Sequence, residues 1–400
     1  MIKEEIVRAY VLKNAVEHEG KAVVGSVISG LFNHGLKKEK IGGVMSLINK
    51  VLKEINKLNL EEQKVLYENH KDLIGHRFER EGLRELEGVG KKGVVMRIAP
   101  SASGGLHIGH GITASLSYLY FKKYGGKFYV RIEDTNPENS FKEAYKLIKE
   151  DSKWLFDNDV EVVIQSERME LYYKYAEKLI RKGVAYVCEC DSESFKEKFV
   201  LKKKDCSCRK LSVKENLDRW KKMLDKKGYN EGEAVLRFKS GMKINNPAMR
   251  DFPLARINIH KHCLQGLKYR VWPLMNLSVV VDDIEMKMTH IIRGKDHRDN
   301  AEKQKMIFEV LGKIYPKSYF LGIIHFNDLE LSTTKIRKGI EEGIYSGWDD
   351  VKLPTLCSLR KQGYKASAFW KFAEQIGLNE VDKKMSKKEF FDLLRGFNRG

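Results

Sequence analysis

At 400 residues the chain exceeds one typical core and suggests two to four domains, and its 42% hydrophobic content is that of a globular protein. A formal charge of +19 attracts polyanions, nucleic acid among them, although solubility alone also accounts for such an excess. No apolar run is long enough to span a bilayer, no charged-then-apolar leader opens the chain, and six cysteines in this length do not suggest a disulfide scaffold; the expectation is a cytoplasmic protein with no membrane partner.

Residues 1–92 read as an N-terminal all-α module. Ile6, Tyr10 and Val11, then Val23, Val24, Val27, Ile28 and Leu31, then Val44, Leu47, Ile48, Val51, Leu52 and Ile55 recur at helical spacing, with a looser charged stretch from about Arg77 to Lys92. At Gly93 the texture changes. Val94–Ile98 predicts a strand, Ser101–Gly105 a small-residue loop, and a helix begins near Leu106 and ends at Gly125 and Gly126. Lys127–Ile132 and Val162–Ile164 are further strands, and Ser166 is expected to cap a helix running through Met169 and Ile180 to Gly183. This alternation is the signature of a parallel α/β sheet. It breaks down from about Tyr186 to Arg270, resumes with predicted strands at Val279–Val281 and His290–Ile292, and gives way beyond Pro354 to a basic helical pattern. The expected organisation is an α/β core in two halves, 93–186 and 277–330, split by an inserted domain at 187–276 and followed by a region at 331–400.

The segment from Arg97 to His110 carries the strongest chemistry. A strand enters a small-residue loop and then a helix start, which presents backbone N–H groups and a positive helix end to an anion. His107 and His110, three apart, share a face and can donate to a phosphate whose charge grows in a transition state, while Gly109 between them lets a flat base approach. Two look-alikes are set aside. Gly88–Gly93 fits GxGxxG but follows a charged stretch and precedes a strand, so it reads as a linker. Lys384-Met385-Ser386-Lys387 lies in what reads as a charged helical tail and is taken as a chance match in a lysine-rich segment. Cys188, Cys190, Cys206 and Cys208 form two CxC pairs that can close a tetrahedral structural Zn²⁺ site, reduced loop cysteines being the alternative; His260, His262 and Cys263 read as polar loop residues.

His107-Ile108-Gly109-His110, Lys127–Pro137 (KFYVRIEDTNP), Arg293–His297 (RGKDH) and Gly347-Trp348-Asp349-Asp350, in that order, resemble the class I glutamyl- and glutaminyl-tRNA synthetases, closest to the archaeal-type glutamyl enzymes, over roughly Ala15 to Arg399. The resemblance implies a Rossmann-like class I core split by an inserted α+β acceptor-end binding domain, and a C-terminal helical region contacting the tRNA stem. It implies a lysine-bearing second loop, placed at Leu331-Ser332-Thr333-Thr334-Lys335, and an ATP site formed by Ser103, Gly104, His107, Gly109, His110, Leu331, Ser332, Thr333 and Lys335. It further implies a glutamate site of Arg97, Ala99, Ser101, Glu133, Met275 and Arg293. Arg97 and Arg293 are the two candidates for the cation opposite the glutamate side-chain carboxylate, and Arg293 favours glutamate over glutamine, because the glutaminyl enzymes carry a smaller uncharged residue there. Family prolines are replaced near Ala102 and Gly105, arginine by Ile112 and tyrosine by Met275, which suggests a looser site.

The implied reaction is ATP- and Mg²⁺-dependent attachment of L-glutamate to the 3′ end of tRNA-Glu, with tRNA-Gln as a second candidate, through a glutamyl-adenylate, with His107, His110 and Lys335 as the catalytic groups. The basic run Lys202–Lys204, Arg209 and Lys210 fits phosphate contacts. Archaeal-type relatives continue past this point into β-barrel anticodon-binding domains, so a separate anticodon-binding chain is one expectation. Glutamylation of another acceptor, or a non-catalytic tRNA-binding subunit, is the alternative.

Overall fold

In the computed structural model, which describes residues 2–74 and 82–399, the chain forms two units, 1–81 and 82–400. The first packs α1 (Glu4–Glu17), α2 (Val24–Leu31), α3 (Met45–Ile55) and α4 (Leu60–His70) around Val7, Val11, Leu12, Leu31, Ile48, Val51 and Ile55. Asn59 caps α4 in a reciprocal box with Glu62. The buried Gln63 amide spends its protons on the carbonyls of Gly20, Ile55 and Leu58, which ties α4 to two loop ends. Part of the stretch expected to be loose, 77–81, lies outside the described residues. Its continuation is anchored: Leu86 is buried, its N–H donates to Tyr124 Oη at 2.9 Å, and the Glu87 carbonyl meets His290 Nε2 at 3.0 Å.

The second unit opens with β1 (Val94–Ile98), α5 (Ile108–Tyr124), β2 (Gly126–Ile132), α6 (Lys142–Leu155), β3 (Glu161–Ile164) and α7 (Met169–Arg181). The strands pair in parallel in the order β1-β2-β3, with Val94 opposite Gly126 and Tyr129 opposite Glu161. Gly93, just before β1, has φ +76° and lies so close to the Gly125 carbonyl that a side chain would overlap it. The Gly88–Gly93 segment makes only a small turn, Gly93 N–H to Gly90 O at 3.0 Å, and opens no helix. Ser166 does not cap α7. It lies in a 3₁₀ turn, Gln165–Arg168, and its N–H is taken by the Asp134 carboxylate at 2.7 Å, so the helix starts later.

The chain then leaves this sheet. β4 (Ala185–Cys188), α8 (Ser192–Phe195), α9 (Val213–Leu224), β5 (Val235–Phe238), β6 (Pro253–Ile257) and β7 (Val271–Pro273) form an antiparallel four-stranded sheet, β4-β5-β6-β7, with helices of its own. It returns through α10 (Met275–Glu285), β8 (His290–Gly294), α11 (Arg298–Val310) and β9 (Lys317–Leu321). β8 and β9 are parallel, and Thr289 bridges them to the first half: its N–H donates to Val95 O at 3.0 Å and its carbonyl accepts from Lys317 at 2.9 Å. The parallel α/β core split by an insertion is therefore present as expected. The predicted strand at Val279–Val281 is instead the middle of α10. All three valines are buried, so no polar stripe reveals the helix, and packing on every side overrides the β preference of valine.

The remaining elements are β10 (Ile324–Phe326), α12 (Thr333–Glu341), α13 (Leu356–Lys361), α14 (Ala366–Ile376), β11 (Lys383–Met385) and α15 (Lys387–Arg399). The Lys384–Lys387 segment is not wholly helical. Lys383–Met385 pairs in parallel with β10, and Ser386 exchanges capping hydrogen bonds with Glu389 at the start of α15. No described helix is long and apolar enough to cross a membrane.

Candidate active site

A cavity of about 410 Å³ opens where β1, β2 and β8 end and α5 and α10 begin, the position at which parallel α/β sheets bind ligands. Arg97, Ala99, Ser101, Glu133, Met275 and Arg293 line it, so all six expected amino-acid contacts converge; of the expected ATP residues Gly109 and His110 join them, while Ser103, Gly104, His107, Leu331, Ser332 and Thr333 do not line it. Sequence reasoning missed Asp296, His297 and Gln304 as lining residues; the first two belong to the RGKDH segment, which was the available signal.

The helix start is built by its own histidines. His107 is not on the helix but caps it. Its Nδ1 accepts from Gly109 N–H at 3.1 Å, and His110 Nδ1 accepts from His107 N–H at 3.4 Å. The ring centroids are 3.9 Å apart. With each Nδ1 accepting, each Nε2 carries the proton and is the available donor. Burial pushes both pKa values down, His107 well below the ordinary range, with His110 beside it adding to the shift, and His110 to about 4. Both rings are neutral donors at neutral pH.

The loop before the helix is clamped. An added side chain at Gly104 would strike the Trp348 ring, which also lies over Gly105. Ala102 is buried, accepts from Phe141 N–H at 2.9 Å and donates to the Glu133 carbonyl at 3.3 Å. Glycine at 105 therefore does not leave the loop free, because Trp348 of the Gly347–Asp350 motif does the holding. Ile112 is buried in the core.

Charge is arranged unevenly across the cavity. Arg97 gives Asp283 a two-pronged pair, Nε at 2.6 Å and Nη2 at 2.9 Å. The wholly buried Arg131 reaches Asp283 at 2.6 Å and Glu133 at 3.1 Å. Arg293 has no carboxylate partner among the described residues. It donates to Gln304 Oε1 at 2.9 Å and Tyr315 Oη at 3.0 Å, and its shielded Nε has no partner at all. Burial, then the positive charge of Arg97, holds its pKa below the ordinary value, as expected where an anion would be welcome.

The second loop is only partly engaged. Thr333 Oγ1 meets Ser103 Oγ at 2.9 Å, Leu331 lies beside Gly109, and Ser332 caps α12 by accepting from Lys335 N–H. Lys335 does not line the cavity. It is exposed and paired with Glu330 at 2.7 Å, which raises its pKa, because on the first turn of α12 its nearest counter-charge is that neighbour.

In the insertion, the sulfurs of Cys188, Cys190, Cys206 and Cys208 all lie within 4.8 Å of one another, with Cys188 and Cys206 at 3.9 Å. Tetrahedral zinc with Zn–S near 2.3 Å places sulfurs about 3.8 Å apart, so the group fits. His262 lies in the loop between β6 and β7, as expected, but is not a solvent-facing residue. It is buried against Trp272, its Nδ1 accepts from Leu264 and Gln265 N–H, and Nε2 lies 2.9 Å from the Asp134 carbonyl. Arg209 turns inward to Asp251 at 2.7 Å, whereas Lys202–Lys204 and Lys210 are exposed.

Residues 93–393 match the family described as tRNA synthetases class I (E and Q), catalytic domain. The chain is 44% identical over 391 residues to the glutamate–tRNA ligase of Methanocaldococcus jannaschii, covering 97% of this chain and 69% of that one. It is 42% identical to that of Methanothermobacter marburgensis, covering 99% and 71%. The fold also matches a crystal structure of a glutamate tRNA ligase from Elizabethkingia meningosepticum in complex with its amino acid, with a TM-score of 0.54, 22% identity, and coverage of 76% of this chain and 69% of that one.

Proposed function

We infer the roles within this pocket from one premise: the chain belongs to the class I tRNA synthetases for glutamate and glutamine, and it attaches glutamate to tRNA at the expense of ATP. Arg293 carries the amino-acid assignment. A partly buried guanidinium with no carboxylate partner among the described residues and an orphaned Nε is a ready receptor for the glutamate side-chain carboxylate. Glu133, at the pocket edge, takes the α-ammonium group, and Arg97, Ala99, Ser101 and Met275 bound the rest.

An oxygen of the α-carboxylate then attacks the ATP α-phosphorus, the bond to the β-phosphate oxygen breaks, and pyrophosphate leaves with that electron pair. His107 and His110 donate from Nε2–H to phosphate oxygens as charge grows there, and the nucleotide sits along Ser103, Gly104, Gly109, Leu331, Ser332 and Thr333. Mg²⁺ brought in with ATP would supply further charge compensation there. Lys335 leaves Glu330 and swings toward the pyrophosphate once ATP binds. A ribose hydroxyl at the tRNA 3′ end, the 2′-OH by resemblance, next attacks the acyl carbon and displaces AMP.

The insertion, about 187–276, receives the acceptor end through exposed Lys202–Lys204 and Lys210, and the 331–400 region contacts the stem. Cys188, Cys190, Cys206 and Cys208 hold a structural Zn²⁺; one zinc per chain by metal analysis, lost in Cys206→Ser, is expected, and a metal-free native protein contradicts it. Pyrophosphate exchange run with glutamate or glutamine, with and without total tRNA, tests the central reading. Exchange with glutamate alone supports it, and equal exchange with glutamine removes Arg293 from its role. Charging purified tRNA-Glu and tRNA-Gln then decides the acceptor.

A further inference from the structure

We propose that Asp283, which does not line the cavity, is a positioning residue that sets the site's selectivity for a singly anionic amino acid. The proposal rests on reading the cavity as the glutamate site. Asp283 lies on α10, fully buried beneath the pocket floor. Its Oδ1 accepts from Arg97 Nε and Arg131 Nη1, both at 2.6 Å, and its Oδ2 from Arg97 Nη2 at 2.9 Å. Arg131 in turn donates to Glu133 at 3.1 Å. One carboxylate therefore fixes the rotamer of Arg97 directly and that of Glu133 through Arg131. Burial alone would raise its pKa, yet Arg97 and Arg131 outweigh this and hold it at about 2, so it stays ionised.

Within the buried network, Arg97, Arg131 and Arg293 face Asp283 and Glu133, which leaves one positive charge; the exposed Asp296 on the cavity wall stands beside His297 at 3.7 Å, and Asp282 is matched by Arg168, so neither is counted in it. Glutamate, with two carboxylates and one ammonium, carries one negative charge and closes the balance; glutamine, with none, leaves a partly buried guanidinium unmet. The preceding residue supplies a control. Asp282 is equally buried, but it binds Arg168 at 2.7 Å and Gln165 and Tyr172 at 2.8 Å, tying α10 to α7 and the turn before it, and stands 3.7 Å from Arg131.

Glutamate-dependent pyrophosphate exchange in the full chain with tRNA, together with thermal melting, compares Asp283→Asn, Asp282→Asn, Arg131→Lys and Arg293→Ala. Asp283→Asn and Arg131→Lys are expected to raise the glutamate KM about tenfold or more and to leave the ATP KM within about twofold. Asp282→Asn is expected to lower the melting temperature comparably while the glutamate KM stays within about threefold. An unchanged glutamate KM in Asp283→Asn, or an equal rise in Asp282→Asn, overturns the proposal. If Asp283→Asn does not fold, Arg131→Lys decides in the same way. A glutamate KM unmoved by Arg293→Ala would overturn the pocket reading itself, and this proposal with it, whereas a rise there without one in Asp283→Asn sinks the proposal alone.

Discussion

The two sides of the cavity are built on opposite principles. On the side proposed for the amino acid the charges are buried and locked: Arg97 against Asp283, Arg131 against Asp283 and Glu133, with Arg293 left without a carboxylate partner among the described residues. Outside the cavity wall, on the side proposed above for pyrophosphate, the cation is Lys335, exposed and held by a surface partner, Glu330. A buried network costs much to rearrange and so discriminates between ligands, whereas an exposed pair is worth little and breaks readily. Selectivity is thus assigned to the locked side and motion to the open one. The histidines stand between, fixed by backbone donors, with His110 on the cavity wall.

Substitutions can break this contrast. His107→Ala removes both a Nε2–H donor and a helix cap, and should lower adenylate formation by about 10²–10³-fold, read by pyrophosphate exchange, with circular dichroism unchanged. A variant with near-normal exchange would remove the histidines from the chemistry. Lys335→Ala should cut kcat by about ten- to a hundredfold and leave the glutamate KM alone; a change in glutamate KM would mean that the two sides are not separate. The smallest effect concerns pH. Because burial keeps His107 and His110 neutral, kcat should stay flat as pH falls from about 8 to about 5.5, with no limb at the ordinary histidine value near 6.5. Stability behaves differently. These histidines take up protons in the unfolded chain first, so stability should fall as pH drops from about 6.5 toward about 4, which denaturant titrations at several pH values would detect.

Much of this was legible in the sequence, unevenly. β1, β2 and β3 announced themselves as short apolar runs closed by glycines and loops, and the HIGH, RIEDTNP and RGKDH segments converge on one cavity. The α10 helix was not legible, because Val279–Val281 are buried on all sides and show no period. Asp283 escaped for a related reason: its importance lies in partners at Arg97 and Arg131, far away in sequence, which no local spacing reveals. The expectation of a looser glycine loop missed Trp348, whose ring fills the space above Gly104. His107 read as a helix-face residue and turned out to be the cap, since a boundary is the least visible part of a helix.

The most direct test of a locked, selective amino-acid side is the glutamate kcat/KM of Arg293→Ala against the unsubstituted chain, with the ATP KM measured alongside. The account predicts a fall of about 10³-fold with the ATP KM within about twofold, because the cavity arginine that has no carboxylate partner among the described residues, the proposed receptor of the side-chain carboxylate, is gone. Retention within about threefold would contradict it and leave the cavity without its glutamate receptor.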